Sequence, residues 1–378
     1  MEVPLIDLAL DDDAIVPLLR AACSDVFCPF PRCWLPQRGS RLPAAISCER
    51  SRRALLISMQ TYICMHAVDA LPLTAAAMRQ VGFFYLAGHG VPEQDFDTLY
   101  ADMTRFFALD SSVKSKVHTV TNPHNRGWTP LGEETLDPER QTCGDTKEGY
   151  YIGREIPAGH KLAHLPLHGP NVWPDAALLP EWRENMERYH THMERVGRRL
   201  VRLLALTLGL DAAFFDDKFD EPMLMLRLLH YSAARSEVSR GVYACGEHSD
   251  YGMHTLLSTD LNPGLQIKGK DGKWLDVPPR PHALIINLGD MLERWTNGVY
   301  RSTPHRVINT TGRERYSAPF FFEPNFSCVV ECIESCVPPG EKPKFPPTTS
   351  GQHLLDMYNQ THADWQAQRQ SNPSIPKS

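Results

Sequence analysis

The chain has 378 residues, 42% hydrophobic and 22% charged, enough to bury a substantial core as one large domain or two smaller ones. A net charge of −6 and a pI near 6.2 give no basic footprint for nucleic acid, so no nucleic-acid partner is expected. The opening Met1-Glu2-Val3-Pro4-Leu5-Ile6-Asp7 lacks a basic leader and no run of about 18 apolar residues follows, which predicts a cytoplasmic protein with no membrane partner.

In chain order, Pro4–Leu8 reads as a short strand and Ile15–Cys23 as a helix. The composition then breaks. Residues 27–80 carry seven arginines, five prolines and four cysteines but no lysine. Joining Val26 directly to Gly82 would restore a smooth helix-to-strand passage, so 27–81 reads as an insertion, either a disordered segment or a translated intron in the gene model. Val81–Leu86 is a strand closed by Gly88-His89-Gly90, where His89 reads as a turn residue. Glu93–Leu109 is an amphipathic helix with Phe96, Leu99, Met103, Phe106 and Phe107 on one side.

Residues 119–160 read as a long irregular region. Trp128, Tyr150 and Tyr151, with Arg126 and Arg154, either line a pocket or pack onto the core, and packing carries the greater weight. Glu181–Leu208 is the strongest helix, with an apolar stripe from Trp182 to Leu206, Pro180 at its start and Gly209 at its end. Such a stripe means scaffold. From Met223 onward short strands alternate with turns such as Asn262-Pro263-Gly264, which predicts a closed or double-sheet β architecture of jelly-roll type. A Pro-rich stretch, Val337–Pro347, leads into a last helix over His353–Gln368.

The ten cysteines include no C-x-x-C pair, which argues against a zinc ribbon or a redox dithiol and for free thiols. Cys328, Cys332 and Cys336 recur every four residues, but their β-branched surroundings read as strand rather than as a soft-metal helix face.

The chemistry is carried by Gly246-Glu247-His248-Ser249-Asp250-Tyr251-Gly252. On an extended chain residues two apart share a face, so His248 and Asp250 can grip one ion. Among sixteen histidines, His305 is the best-placed third ligand, because it begins a strand after Tyr300-Arg301-Ser302-Thr303-Pro304, and jelly-roll strands that far apart can face each other. His230, His254 and His282 lack such a setting. Two imidazoles and a carboxylate on one face suit non-haem Fe(II), with zinc as the rival metal. No His-Glu-x-x-His helix supports a hydrolase. Arg315-Tyr316-Ser317 then places a guanidinium fork and a hydroxyl on one strand face, suited to holding a carboxylate.

Together these segments resemble the iron(II)/2-oxoglutarate-dependent oxygenases, in the isopenicillin-N-synthase-like branch. The resemblance rests on Leu226–Tyr231, His248-Ser249-Asp250-Tyr251-Gly252, Pro263–Ile267, Asn287–Leu292, His305-Arg306-Val307 and Arg315-Tyr316-Ser317, with Val3–Leu8 and Gly82–Leu86 toward the N-terminus. It implies an α+β chain, mainly β, built as a double-stranded β-helix (jelly roll) with an N-terminal helical domain and a C-terminal helix. The implied division is 1–26 with 82–220 for the helical and substrate-loop domain, 221–326 for the jelly roll and 327–378 for a C-terminal strand, linker and helix.

The resemblance also implies that His248, Asp250 and His305 ligate iron, and that Arg315, Ser317 and Tyr231 hold the distal carboxylate of 2-oxoglutarate. Leu229 and Ser232-Ala233-Ala234 depart from the asparagine and prolines that many members carry around that tyrosine. The implied cofactors are Fe(II), 2-oxoglutarate and O2, with ascorbate as reductant. The implied reaction hydroxylates, desaturates or cyclises a small organic substrate and releases succinate and CO2, and no protein partner is implied. The competing readings are an Fe(II)/O2 oxidase that does not use 2-oxoglutarate, a zinc hydrolase, and a non-catalytic scaffold destabilised by 27–81.

Overall fold

The computed structural model describes residues 3–23 and 82–361. The 27–81 stretch and the part of the last helix beyond Thr361 lie outside the described residues. Eight strands form the larger sheet, in the order β1 (Leu5–Asp7), β2 (Phe83–Ala87), β10 (Leu284–Leu288), β7 (His254–Thr259), β12 (Arg315–Asn325), β5 (Pro222–Tyr231), β4 (Lys147–Gly153) and β3 (Gly127–Thr129). A second sheet runs β6 (Cys245–His248), β11 (His305–Val307), β8 (Leu265–Lys268) and β9 (Trp274–Asp276). Short strands β13 (Val329–Val330) and β14 (Thr348–Thr349) pair with each other. The expected jelly roll is the architecture found.

Successive residues of a strand point to opposite faces, so the larger sheet has two different cores. On one face Leu226, Leu228, Leu256, Ile286, Phe320 and Phe322 join the side chains of the long helix α4 (Trp182–Thr207) in one buried cluster. On the other face Leu229, Tyr231, Ile285, Phe83 and Tyr85 pack with Leu265, Ile267 and Val307 of the second sheet. This second, smaller core is the interior of the jelly roll.

The α4 stripe is buried from Trp182 to Leu203 and only half-buried at Leu206, and the chain leaves the helix through Gly209 at φ 74°. That positive φ is one only glycine adopts without strain. Helices α1 (Asp12–Cys23) and α2 (Glu93–Phe107) pack on α4. The Nε of Arg20 in α1 donates to the Thr207 carbonyl at 2.6 Å and ties the two helices. The remaining helices are α3 (Ser111–Lys114), α5 (Asp290–Trp295) and α6 (Ser350–Thr361), the last packing on β12.

Two local expectations need correcting. Residues 119–160 are not irregular throughout, because they supply β3 and β4, and β4 pairs along its whole length with β5, from Lys147↔Tyr231 to Gly153↔Met225. Lys147, Glu148, Gly149 and Gly153 hide the strand alternation in the sequence. In the fold Glu148 is buried between Lys114 (2.8 Å), His230 (2.8 Å) and the Trp128 indole N–H (2.7 Å), so its charge is fully bonded. Between Cys328 and Cys336 only Val329–Val330 is strand, followed by a 3-10 turn at Glu334–Cys336. Cys328, Cys332 and Cys336 are free thiols.

Candidate functional site

Strands β6 and β11 are antiparallel neighbours, and their register sets His305 opposite His248. The two meet within one sheet rather than across facing sheets, with ring centroids 4.2 Å apart. Phe83 of β2 packs edge-on against His305 at 5.3 Å and fills the space behind the ring. Each imidazole is oriented by its own backbone. Nδ1 of His248 lies 2.9 Å from the Gly246 carbonyl, and Nδ1 of His305 lies 3.1 Å from the Thr303 carbonyl. A carbonyl can only accept, so both Nδ1 atoms carry the proton and both Nε2 lone pairs are left for another partner.

Those lone pairs converge on Asp250, the buried residue two beyond His248. Its Oδ1 is 3.9 Å from His248 Nε2 and 3.7 Å from His305 Nε2. Its Oδ2 accepts from Thr255 Oγ1 at 2.5 Å and from Asn287 Nδ2 at 2.6 Å. One carboxylate oxygen is thus held by protein donors while the other faces the imidazoles. Burial alone would raise the Asp250 carboxyl, but the two imidazoles and the Thr255 and Asn287 bonds outweigh it and hold it below its ordinary value. Burial, with His248 beside it, pushes His305 down to about 4 against the pull of Asp250. Asp250 and His305 are therefore deprotonated at neutral pH, as metal binding requires. Among the described residues no other group of three His, Cys, Asp or Glu side chains brings ligand atoms together in this way; here they lie within 4.8 Å of one another.

Along β12 from this centre the carboxylate-binding candidates also meet. Arg315 and Tyr231 are register partners on β12 and β5, and the guanidinium lies over the phenol ring at 4.8 Å. Ser317 Oγ donates to Tyr231 Oη at 3.4 Å. Arg315 is only 3% exposed, yet its Nε and Nη1 have no partner. A buried guanidinium with open donors is costly unless an anion completes it.

Sequence reasoning missed the groups that support the centre. Asn287 and Thr255 carry no local signal of their role, since each meets Asp250 only through strand pairing. A buried charge network is also invisible in the sequence. Lys147 of β4 bonds Asp145 and, at 2.7 Å, Glu134, and Glu134 takes both ends of the Arg227 fork at 3.1 and 2.9 Å. Asp145 in turn accepts the Gly246 N–H at 2.9 Å, which fixes the start of the strand carrying His248.

The other histidines lie elsewhere. His230 bonds Glu148, His254 stacks on Phe322 at 5.0 Å on the helix side, and the His89 Nε2 lies 2.9 Å from the His282 carbonyl. The aromatic residues of 119–160 divide. Trp128 and Tyr150 pack in the helix-side core, Tyr151 lies under the Arg227 guanidinium, and Arg126 and Arg154 line a small cavity with Met225, Phe321 and Glu323.

Residues 69–176 match the family model described as non-haem dioxygenase in morphine synthesis N-terminal, and residues 222–324 match the 2OG-Fe(II) oxygenase superfamily. The 2-oxoglutarate-Fe(II) type oxidoreductase hxnY of Emericella nidulans is 39% identical over 292 residues, covering 74% of this chain and 81% of that protein. This chain belongs to the 2OG-Fe(II) oxygenase superfamily. The oxygenase is also 33% identical to azadirone synthase LFS of Melia azedarach over 306 residues, covering 78% of this chain and 90% of the relative. Among solved structures, a full-length Neurospora crassa protein in complex with alpha-KG matches at TM-score 0.66 and 31% identity, over 74% of this chain and 87% of that one. The same Neurospora protein is also solved with alpha-KG and thymine.

The protein is thus a 2-oxoglutarate-dependent non-haem iron dioxygenase that uses Fe(II), 2-oxoglutarate and O2. Its residues fit both groups. Two imidazole nitrogens and one carboxylate oxygen suit a ferrous ion with positions left open, and the open donors of Arg315 suit a carboxylate. No helix among the described residues is long and apolar enough to cross a membrane.

Proposed function

We propose that His248, Asp250 and His305 hold the ferrous ion, and that Arg315, Ser317 and Tyr231 hold the distal carboxylate of 2-oxoglutarate, in an enzyme that oxidises a small organic molecule. When bound, the iron and 2-oxoglutarate supply the activation of O2, with release of succinate and CO2 and oxidation of a substrate carbon. The backbone carbonyls of Gly246 and Thr303 keep the proton on Nδ1 of each histidine, so Nε2 remains a donor to the metal. Thr255 and Asn287 hold Asp250 so that one oxygen stays free. Arg315 neutralises the co-substrate carboxylate, and the apolar residues around it, Leu229 and Leu265 among them, keep water out.

The observation that carries this reading is the buried, open-donor guanidinium of Arg315 on the same sheet as the residue pair that orients Asp250. The test is turnover on a panel of small organic compounds with ascorbate as reductant, scored by succinate formed per O2 consumed. The expected result is one succinate per O2 with at least one panel member. O2 consumption without succinate would contradict it.

We place the enzyme in the cytoplasm, supported by free thiols at all described cysteines. We take 27–81 as an insertion in the helical domain formed by 1–26 and 82–220, supported by its compositional break. The first family match begins at residue 69, within that stretch. Limited proteolysis should cut first inside 27–81, and a stretch left intact while cuts fall elsewhere would overturn the insertion.

A further inference from the structure

Across the larger sheet one row of register partners joins the metal centre to the cavity. Gly153 of β4 faces Met225 of β5, Met225 lies beside Phe321 of β12, and Phe321 faces Thr255 of β7. Thr255 is the residue that donates to Asp250. At the other end, a Cβ placed on Gly153 would fall 2.3 Å from the Arg126 guanidinium carbon, so Arg126 lies directly over that glycine. Three strand spacings separate the two ends, about 14 Å. Met223, Met225, Phe321, Glu323 and Tyr358 line the cavity together with Arg126.

The charge balance of this cavity is uneven. Arg126 is only 3% exposed, and its guanidinium donates to the carbonyls of His124 at 3.0 Å and Leu167 at 2.9 Å and, at 4.0 Å, to the Met225 sulfur, while Nε has no partner. Burial lowers its pKa to about 10, so it keeps its charge at neutral pH. None of these partners carries a charge. Glu155 acts on it only through space and is engaged by Asn171. The second arginine, Arg154, is paired with Glu221. Glu323 lines the same cavity but makes no ion pair or hydrogen bond with Arg126, and burial raises its carboxyl. A buried, uncompensated guanidinium in a thioether- and phenyl-lined cavity is a site for an anion on an apolar body.

We propose that Arg126 anchors the carboxylate of the oxygenase's own substrate, a small organic acid whose apolar body lies across Met225 and Phe321 and which is oxidised at the end remote from the carboxylate. This rests on the reading that His248, Asp250 and His305 are the reaction centre. After contact distances are allowed for at both ends of the row, the body between carboxylate and oxidised carbon is roughly 6–8 Å long.

The test uses the full chain loaded anaerobically with Fe(II) and saturating 2-oxoglutarate, so that Arg315 is already occupied. The probes are 3-phenylpropanoate and its uncharged amide, with binding measured by calorimetry. The expected result is at least tenfold tighter binding of the acid, a preference lost in Arg126→Gln and partly kept in Arg126→Lys. Both variants should keep the wild-type 2-oxoglutarate affinity. A melting curve checks that each is folded, and Met225→Trp, which fills the middle of the row, should abolish acid binding by a separate route. Equal binding of acid and amide, binding of neither, or a preference that survives Arg126→Gln would overturn the proposal. If the loaded complex itself does not form, the metal-centre reading fails and this inference falls with it; if it forms and the probes tie, only the inference falls.

Discussion

His248 and His305 stand opposite one another as register partners on adjacent antiparallel strands, each with its Nδ1 proton given to a backbone carbonyl two residues earlier in its own chain segment. The tautomer of each ring is therefore set by main-chain geometry, and no second side chain is needed to select it. The third member of the centre is treated differently, since Asp250 depends on Thr255 and Asn287 for its orientation.

That difference makes Asp250 the sensitive point. Asn287→Ala removes a donor from Oδ2 and frees the carboxylate to rotate. Fe(II) affinity should fall about 10–100-fold, the usual cost of losing an outer-shell partner. Anaerobic metal titration of the variant checks this, and an unchanged affinity would show that the bond does not orient the ligand.

In the proposed reading Arg315 acts on the co-substrate and not on the metal. Arg315→Gln should raise the 2-oxoglutarate concentration needed for half-saturation by roughly tenfold or more while Fe(II) affinity stays within about twofold, because a charge-assisted pair contributes about 1.5–3 kcal/mol. A parallel loss of iron binding would place Arg315 in the support of the centre instead.

Gly197 lies mid-way along α4, where alanine would ordinarily favour the helix by about 1 kcal/mol. Here its Cβ would come 2.3 Å from the ring of Phe322. Phe322 is fully buried and stacked between Phe219 and His254, so it has nowhere to move. Overpacking wins, and Gly197→Ala should destabilise the protein by about 1–3 kcal/mol in urea denaturation. A gain in stability would mean that the helix and sheet are not packed this closely.

The acid sensitivity of the metal-free protein should lie partly in His254. It is 1% exposed, neither ring nitrogen has a partner, and burial pushes it down to about 3. The unfolded imidazole charges near 6.5, so between those values the unfolded chain binds more protons and stability falls as pH falls. At pH 5 the loss from this residue is about 2 kcal/mol. His254→Leu should remove that share, so the variant loses less stability than wild type between pH 7 and pH 5 in parallel urea titrations. Identical pH dependence would show that His254 is not buried uncharged.

The jelly roll and the helices were legible because their signals are local. The α4 stripe and the strand-turn alternation after Met223 are periodicities that burial enforces. The metal-centre candidates were legible through spacing, since His248 and Asp250 are two residues apart and His305 begins a strand. What remained hidden is whatever depends on register between distant strands. Asn287, Thr255 and the Lys147–Glu134–Arg227 network meet only because particular strands pair. The strand Lys147–Gly153 was obscured by its charges, and the partners of Glu148 (Trp128, Lys114 and His230) lie tens of residues away. Arg126 was noted in the sequence as a candidate pocket residue, but nothing there shows that its charge has no counter-ion.

The most direct measurement is an anaerobic titration of the metal-free protein with Fe(II) and 2-oxoglutarate, following the visible charge-transfer absorbance of the chelated complex. The account predicts a band that saturates at one equivalent of each for wild type, is lost in Asp250→Ala and His305→Ala, and needs far more 2-oxoglutarate in Arg315→Gln. A wild-type protein that gives no band, or an Asp250→Ala variant that gives it undiminished, would contradict the assignment of this centre.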